Sequence, residues 1–286
     1  MRRAGAIEKE LGQITTVKDL TSVFESLAST QVAKVKNKVV LSKEFFSLLW
    51  SHYSAIRIDP KKRITNRSTG ANDERRVFVV ISAEAGLSGD IDLRLVDTMS
   101  KDYDPATTDV IVLGTHGATQ LNQRGIPYTR YFKVPESDHY IDVGPVIDAV
   151  MPYSSISVYY EEYVSLGVQN IKMIDLISSM REMSEDAGDD VMTTADTIFE
   201  PSLDEIADQM EAMMMTLALS QTILESSLAQ AASRFNAMAV AKKRANEIID
   251  DYKLEYHRAK RSESDRRLSE ILIGLKKKRQ HRRMAA

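Results

Sequence analysis

Cysteine is absent from the 286 residues, which removes disulfides, thiol nucleophiles and cysteine-ligated zinc or iron–sulfur sites together. Histidine is scarce, with five scattered residues, so a histidine-rich metal site is not expected. No apolar run approaches the roughly 18 residues of a membrane span. The opening MRRAGAIEKELGQ has no apolar stretch ahead of its acidic residues. The chain is therefore expected neither to cross a membrane nor to be exported by that route. Charge and core material are not lacking: 28% of residues are charged, 43% are hydrophobic and the net charge is -3. These values describe a soluble, ordered protein of one or two domains.

Turn formers are scarce too. Twelve glycines and seven prolines are roughly half of what average usage would give. All but Gly5, Gly12 and Gly274 lie between Pro60 and Pro201. That asymmetry predicts two long uninterrupted helices flanking a turn-rich middle.

From Ser202 to about Leu275 the apolar positions alternate by three and four. They run Ile206, Met210, Met213, Leu217, then Leu224, Leu228, Ala231, Phe235, Met238, then Ala245, Ile249, Tyr252, Tyr256 and Ala259, with Gln221 and Lys242 the polar interruptions. A 3.5-residue period held this long implies a left-handed coiled coil, and some 70 helical residues would extend roughly 100 Å. The N-terminal segment supplies the partner through Ile7, Leu11, Ile14, Leu20, Phe24, Leu27, Gln31, Val35, Val39 and Phe45, up to Asp59 and Pro60. Each terminal helix has one apolar seam, best buried against the other. With a domain between them, the pair would be antiparallel. Its seam residues are then Leu20, Phe24 and Leu27 on one side and Leu224, Leu228, Phe235, Met238 and Ile249 on the other.

Residues 61–74 read as a linker and 181–200 as an acidic loop. Between them, VFVVIS (77–82) and DVIVLG (109–114) are short β-branched runs with the helix-like DIDLRLVDTMSKD (90–102) between. VGPVIDAVM then reads as helix, and SISVYYEEYVS and NIKMIDLI as strands. This order predicts an α/β unit on a mostly parallel sheet. The fold class is thus α/β plus long helices: an antiparallel coiled coil of the terminal helices with a central Rossmann-like α/β domain. The expected parts are an N-terminal helix over 1–59, an α/β domain over 75–180, a C-terminal helix over 202–275 and a basic tail over 276–286.

Several groups of residues could carry chemistry. Gly86, Leu87, Ser88 and Gly89 follow a strand and precede a helix, where some α/β proteins cradle a phosphate, but the spacing gives neither GxGxxG nor a P-loop. A tight strand-to-helix turn is the other reading. Thr115, His116 and Gly117 open the next helix, where a catalytic base or a structural histidine could sit. Glu161 and Glu162 are adjacent on a strand and point to opposite faces, so they do not form a carboxylate pair with each other. Met213, Met214 and Met215 read as core. Lys276, Lys277, Lys278, Arg279, Arg282 and Arg283 form a tail with no acid. It could meet phosphates, an anionic membrane surface or an acidic protein, or be a solvated end suited to the helix dipole. No aromatic is interleaved to stack a base.

This architecture and its motifs resemble the gamma subunit of rotary F-type ATP synthases. In the C-terminal helix the likeness is carried by Glu225, Ser226, Leu228, Ala229, Arg234, Phe235, Ala237, Met238, Ala245, Glu247, Ile248, Leu254, Tyr256, Ala259, Glu270, Ile271 and Gly274. In the N-terminal helix it is carried by Ile7, Leu11, Ile14, Leu20, Thr21, Phe24, Leu27 and Ala28, and after the first strand by Ser82, Gly86, Leu87 and Gly89. The chain departs from the family where Ala83, Glu84 and Ala85 replace an Asp-Arg pair, where Gln230 replaces a glutamate, at Arg244, and in the basic tail.

The resemblance implies a rotor shaft without catalytic residues or cofactor. Such a shaft stands in a ring of alpha and beta subunits, with its α/β foot on the membrane c-ring beside the epsilon subunit. It is peripheral, at the cytoplasmic face of the cell membrane, and no nucleic acid partner is expected. Gln230, Arg234, Lys242, Lys243 and Arg244 are the expected contacts to the ring. Ala229, Ala231, Ala232, Ala237, Ala239 and Ala241 would form a smooth outward face. Two other readings remain: a Rossmann-like nucleotide-binding enzyme in the middle domain, or a free-standing coiled-coil scaffold with a nucleic-acid-binding tail.

Overall fold

The computed structural model describes residues 3–56, 72–134, 143–176 and 203–284. The elements in order are α1 (Ala4–Ile56), β1 (Asn72–Ile81), α2 (Ile91–Asp102), β2 (Thr108–Leu113), α3 (Thr115–Gln123), β3 (Arg130–Phe132), α4 (Gly144–Val150), β4 (Tyr153–Ser165), β5 (Val168–Asp175) and α5 (Leu203–Met284). The five strands form one sheet in the order β3-β2-β1-β4-β5. The first three pairings are parallel and β4 pairs with β5 antiparallel. The expected ends of α1 at Asp59 and Pro60, most of the 61–74 linker and the acidic 181–200 segment lie outside the described residues. Helix α5 continues through the basic tail to Met284.

The chain divides into two compact units. One comprises Met1–Ser26 with Met238–Ala286, the other Leu27–Ala237. In the first unit the two helical segments run antiparallel. Ala4 N donates to a Glu263 carboxylate oxygen at 3.2 Å, Lys242 Nζ pairs with Glu25 at 2.9 Å, and Ala4, Ile7 and Ala259 pack with Tyr252 and Tyr256.

The second unit is layered around the sheet, and strand periodicity explains how. Side chains alternate along a strand, so Val77, Val79 and Ile81 face one way and Phe78 and Val80 the other. The first set packs with Val146, Ile147 and Val150 of α4, with Met214, Ala218, Leu219 and Ile223 of α5, and with Phe46 of α1. The second set packs with Leu95, Val96 and Met99 of α2 and Leu121 of α3. A sheet covered on both faces needs continuous apolar strands rather than alternating ones, which is what the VFVVI run supplies. Met214 is buried in this core while its neighbour Met213 is exposed.

The α1 seam differs from the one expected. Leu20 is 53% exposed, Leu27 is 59% exposed and Phe24 is also exposed. The inward positions in the first unit are Ala4, Ile7, Leu11, Ile14, Lys18, Thr21 and Glu25, and in the second Ala28, Val32, Val35, Val39, Ser42, Phe46 and Leu49, all buried or half-buried. This is an unbroken three-four alternation. The expected stripe followed hydrophobicity from Ile14 to Leu20, a step of six, and so slipped one residue onto the outer face. The real seam tolerates Lys18, Thr21 and Glu25 because a long stem can lie along the groove while its charge reaches water or a partner. On α5, Leu228, Met238 and Ile249 are buried, and Leu224 and Phe235 half-buried.

Candidate functional site

Ligands of doubly wound α/β domains bind outside the carboxyl ends of the parallel strands. Here that place lies beyond Ile81 and Leu113, where the 82–90 loop and Gly114 emerge. The chain fills it with its own groups. Ser82 Oγ lies 2.7 Å from the carbonyl oxygen of Leu113 and accepts from the Gly117 amide at 2.9 Å. Gly114 has φ +93, and a Cβ there would lie 2.2 Å from the Ser82 carbonyl oxygen. Only glycine permits that approach. A Cβ on Gly117 would also collide with the Ser82 hydroxyl, at 2.4 Å. The two strand ends are thereby locked together.

Helix α5 closes the top. Arg234 Nε donates to the Gly86 carbonyl at 3.0 Å and its Nη2 to the Ala85 carbonyl at 2.9 Å. Ser233 Oγ donates to the Ser88 carbonyl at 2.7 Å. Gly89 has φ +73, and a Cβ there would lie 3.8 Å from the Ala237 methyl. Leu87 also takes a positive φ of 70 and points its side chain to solvent. The backbone carbonyls of this loop thus address a helix of the same chain, and burial lowers the pKa of Arg234, with Asp92 acting in the opposite direction. His116 is anchored by its amide to the Ala83 carbonyl at 3.1 Å, and its Nδ1 lies 3.9 Å from Asp92 Oδ2.

Beneath the helix lies a buried polar group. Asp92 Oδ1 accepts from the Ala83 amide at 2.8 Å and Oδ2 from the Ser88 hydroxyl at 3.0 Å. Ser226 Oγ donates to Glu161 Oε2 at 3.1 Å, and Gln230 Nε2 donates to Ser226 Oγ at 3.1 Å. Glu162, pointing away from Glu161, pairs with Lys172 at 3.0 Å. Glu161 forms no pair with Glu162, as their opposite faces on the strand require. Its relation to Asp92, 69 positions earlier, left no sequence signal beyond a charged residue in an apolar strand.

Three of the five residues expected to reach outward are engaged within their own unit. Arg234 holds the 85–86 carbonyls, Gln230 is buried beside Ser226, and Lys242 pairs with Glu25 in the seam. Lys243 and Arg244 are exposed, the latter paired with Glu247 one turn on at 3.2 Å. Ala229, Ala231 and Ala232 are buried rather than outward. Lys276 is exposed, and the side chains of Lys277, Lys278 and Arg279 lie outside the described set.

A family model described as ATP synthase matches residues 4–276, and the curated relatives over nearly the whole chain are ATP synthase gamma chains. The chain belongs to the ATP synthase gamma-subunit family. The gamma chain of Clostridium novyi (strain NT) is 24% identical over 94% of this chain and 96% of its own length. That of Malacoplasma penetrans (strain HF-2) is 21% identical over 96% and 99%. Among solved structures, a chain of the Euglena gracilis mitochondrial ATP synthase rotor superposes with a TM-score of 0.61 at 15% identity, covering 90% of this chain and 98% of that one. A chain of the Tetrahymena thermophila central stalk and c-ring does so at 0.58 and 16%, covering 78% and 99%. As a gamma subunit the chain is a non-catalytic part of the central stalk. The reading of the middle domain as a nucleotide-binding enzyme is overturned, since the crevice it requires is occupied by α5.

Proposed function

We propose that this gamma subunit transmits torque between the ion-translocating membrane sector and the alpha and beta subunits that make or hydrolyse ATP, with its α/β domain as the foot. The observation that carries this reading is the seat of α5 on the sheet edge. Arg234 and Ser233 clamp the helix to the 82–90 loop and Ser226 clamps it to Glu161 of β4, so a force on the α/β domain is delivered to α5 without an intervening hinge. Coupling between distant sites needs a rigid element of this kind.

The partners are the alpha and beta subunits around the shaft, and the epsilon subunit and c-ring at the foot. No helix among the described residues is long and apolar enough to cross a membrane. In this reading the subunit is a peripheral component at the cytoplasmic face. Lys243 and Arg244, exposed midway along α5, are its charged contacts to the ring. The basic tail lies near the ring apex, against anionic loops. Affinity capture of the tagged chain from its native membranes, with subunit counting, tests the reading. One copy per six-membered ATPase ring is expected, and recovery as a homo-oligomer without ATPase activity would contradict it. Deleting residues 276–286 is expected to weaken assembly, and unchanged assembly, ATPase rate and coupling would remove the role given to the tail.

A further inference from the structure

Glu161 has no exposed surface, and the torque reading uses its carboxyl only as the acceptor for Ser226. Its surroundings make it unusual. Asp92 on α2 is near enough to share a hydrogen bond with it. Asp92 has its own donors in the Ala83 amide and the Ser88 hydroxyl. Glu161 accepts from the Ser226 hydroxyl on Oε2, and Gln230 acts on it as a second donor, while its Oε1 has no partner. Two bare carboxylates can only accept, and buried side by side they repel. A single proton on Glu161 turns that repulsion into a hydrogen bond to Asp92.

We propose that Glu161 keeps a proton which it donates to Asp92, and that this proton is a latch fastening β4 and α2 beneath α5, so that losing it loosens the seat of the shaft helix. The groups around the latch come from each element packed on it. Helix α2 brings Asp92, and α5 brings Ser226, Gln230 and Arg234, whose charge acts on Asp92. Helix α3 brings His116 beside Asp92. On the neighbouring turn of α5, Glu225 interacts with Lys43, Glu162 and Lys172. Burial first, and the charge of Asp92 second, hold the Glu161 carboxyl well above the ordinary carboxylate range, the direction the geometry demands.

The sign follows. An unfolded Glu161 ionises at its usual value, whereas the folded one holds its proton to higher pH. Between the two values the native state binds one proton more, and stability falls as pH rises. The folding constant is expected to drop by up to about tenfold per pH unit across that window, then level off once the folded carboxyl ionises.

Urea titration of the full chain from about pH 5 to about pH 9, beside Glu161→Gln, reads this directly. The amide donates to Asp92 without titrating. Wild type is expected to lose its folding constant relative to the variant as pH rises, and hydrogen exchange across residues 223–234 is expected to speed up only in wild type. Parallel pH profiles would overturn the proposal. Infrared spectra of the wild-type chain carrying carbon-13 glutamate keep it testable if the variant does not fold. A protonated carboxyl band at neutral pH is expected, and an all-ionised spectrum would overturn the latch.

Discussion

Arg234 shows how one side chain can be read correctly for type and wrongly for partner. Its place in a basic cluster on a long helix suggested an outward contact, but its fork spans two consecutive carbonyls of the 82–90 loop. Arg234→Ala would leave those carbonyls without their charged donor and is expected to cost about 1–3 kcal/mol of stability, read by urea unfolding. Arg234→Lys should recover only part of this, since an ammonium cannot reproduce the fork. Gly114→Ala is expected to be the harsher change, because a Cβ at 2.2 Å from the Ser82 carbonyl oxygen has nowhere to move. Loss of soluble folded chain on expression is the readout. The glycines at 86 and 89 were visible in the sequence as a turn, but the helix that covers the turn comes from more than 140 positions later, and no local pattern could supply it.

The two long helices differ in how much their sequences disclose. On α5 the expected seam from Leu217 to Ala259 turns inward, so a 3.5-residue repeat was enough there, whereas Met213 and the apolar residues from Leu268 to Leu275 are exposed. On α1 a second apolar stripe of Val17, Leu20, Val23 and Phe24 lies exposed beside a seam that carries Lys18, Thr21 and Glu25. Apolarity and burial therefore separate. If the outer stripe serves a partner rather than the fold, Leu20→Ser with Phe24→Ser should shift the stability of the isolated chain by only about 0.5 kcal/mol per site while weakening assembly with the catalytic ring. Phe46→Ala, in the core of the second unit, should cost about 3–5 kcal/mol. The pairing of Lys242 with Glu25 is partly exposed and is expected to be worth at most about 1 kcal/mol. A charge-swapped double variant that recovers the loss of either single reversal would measure it. The mostly parallel sheet was legible in outline from the alternation of strand and helix signals, but its strand order and β3 were not. The antiparallel β5 follows from the short turn after Ser165, which leaves no length for a crossover.

For the whole molecule, a central domain of ligand-binding topology serves a mechanical end: the crevice at its strand ends is filled by the C-terminal helix of the same chain. Composition foretold the helix–domain–helix order through the distribution of glycine and proline, and the motif residues pointed to the family. The site could not be read because its contacts join residues 82–92 to 161 and 226–237. The absence of cysteine makes the decisive measurement clean, since one introduced cysteine on the exposed face of β5, Met173→Cys, takes a probe at a single position. With the catalytic ring immobilised and the chain assembled within it, ATP should drive the probe around in one direction. ATP hydrolysis with a stationary probe would contradict the account of this chain as a rotating shaft.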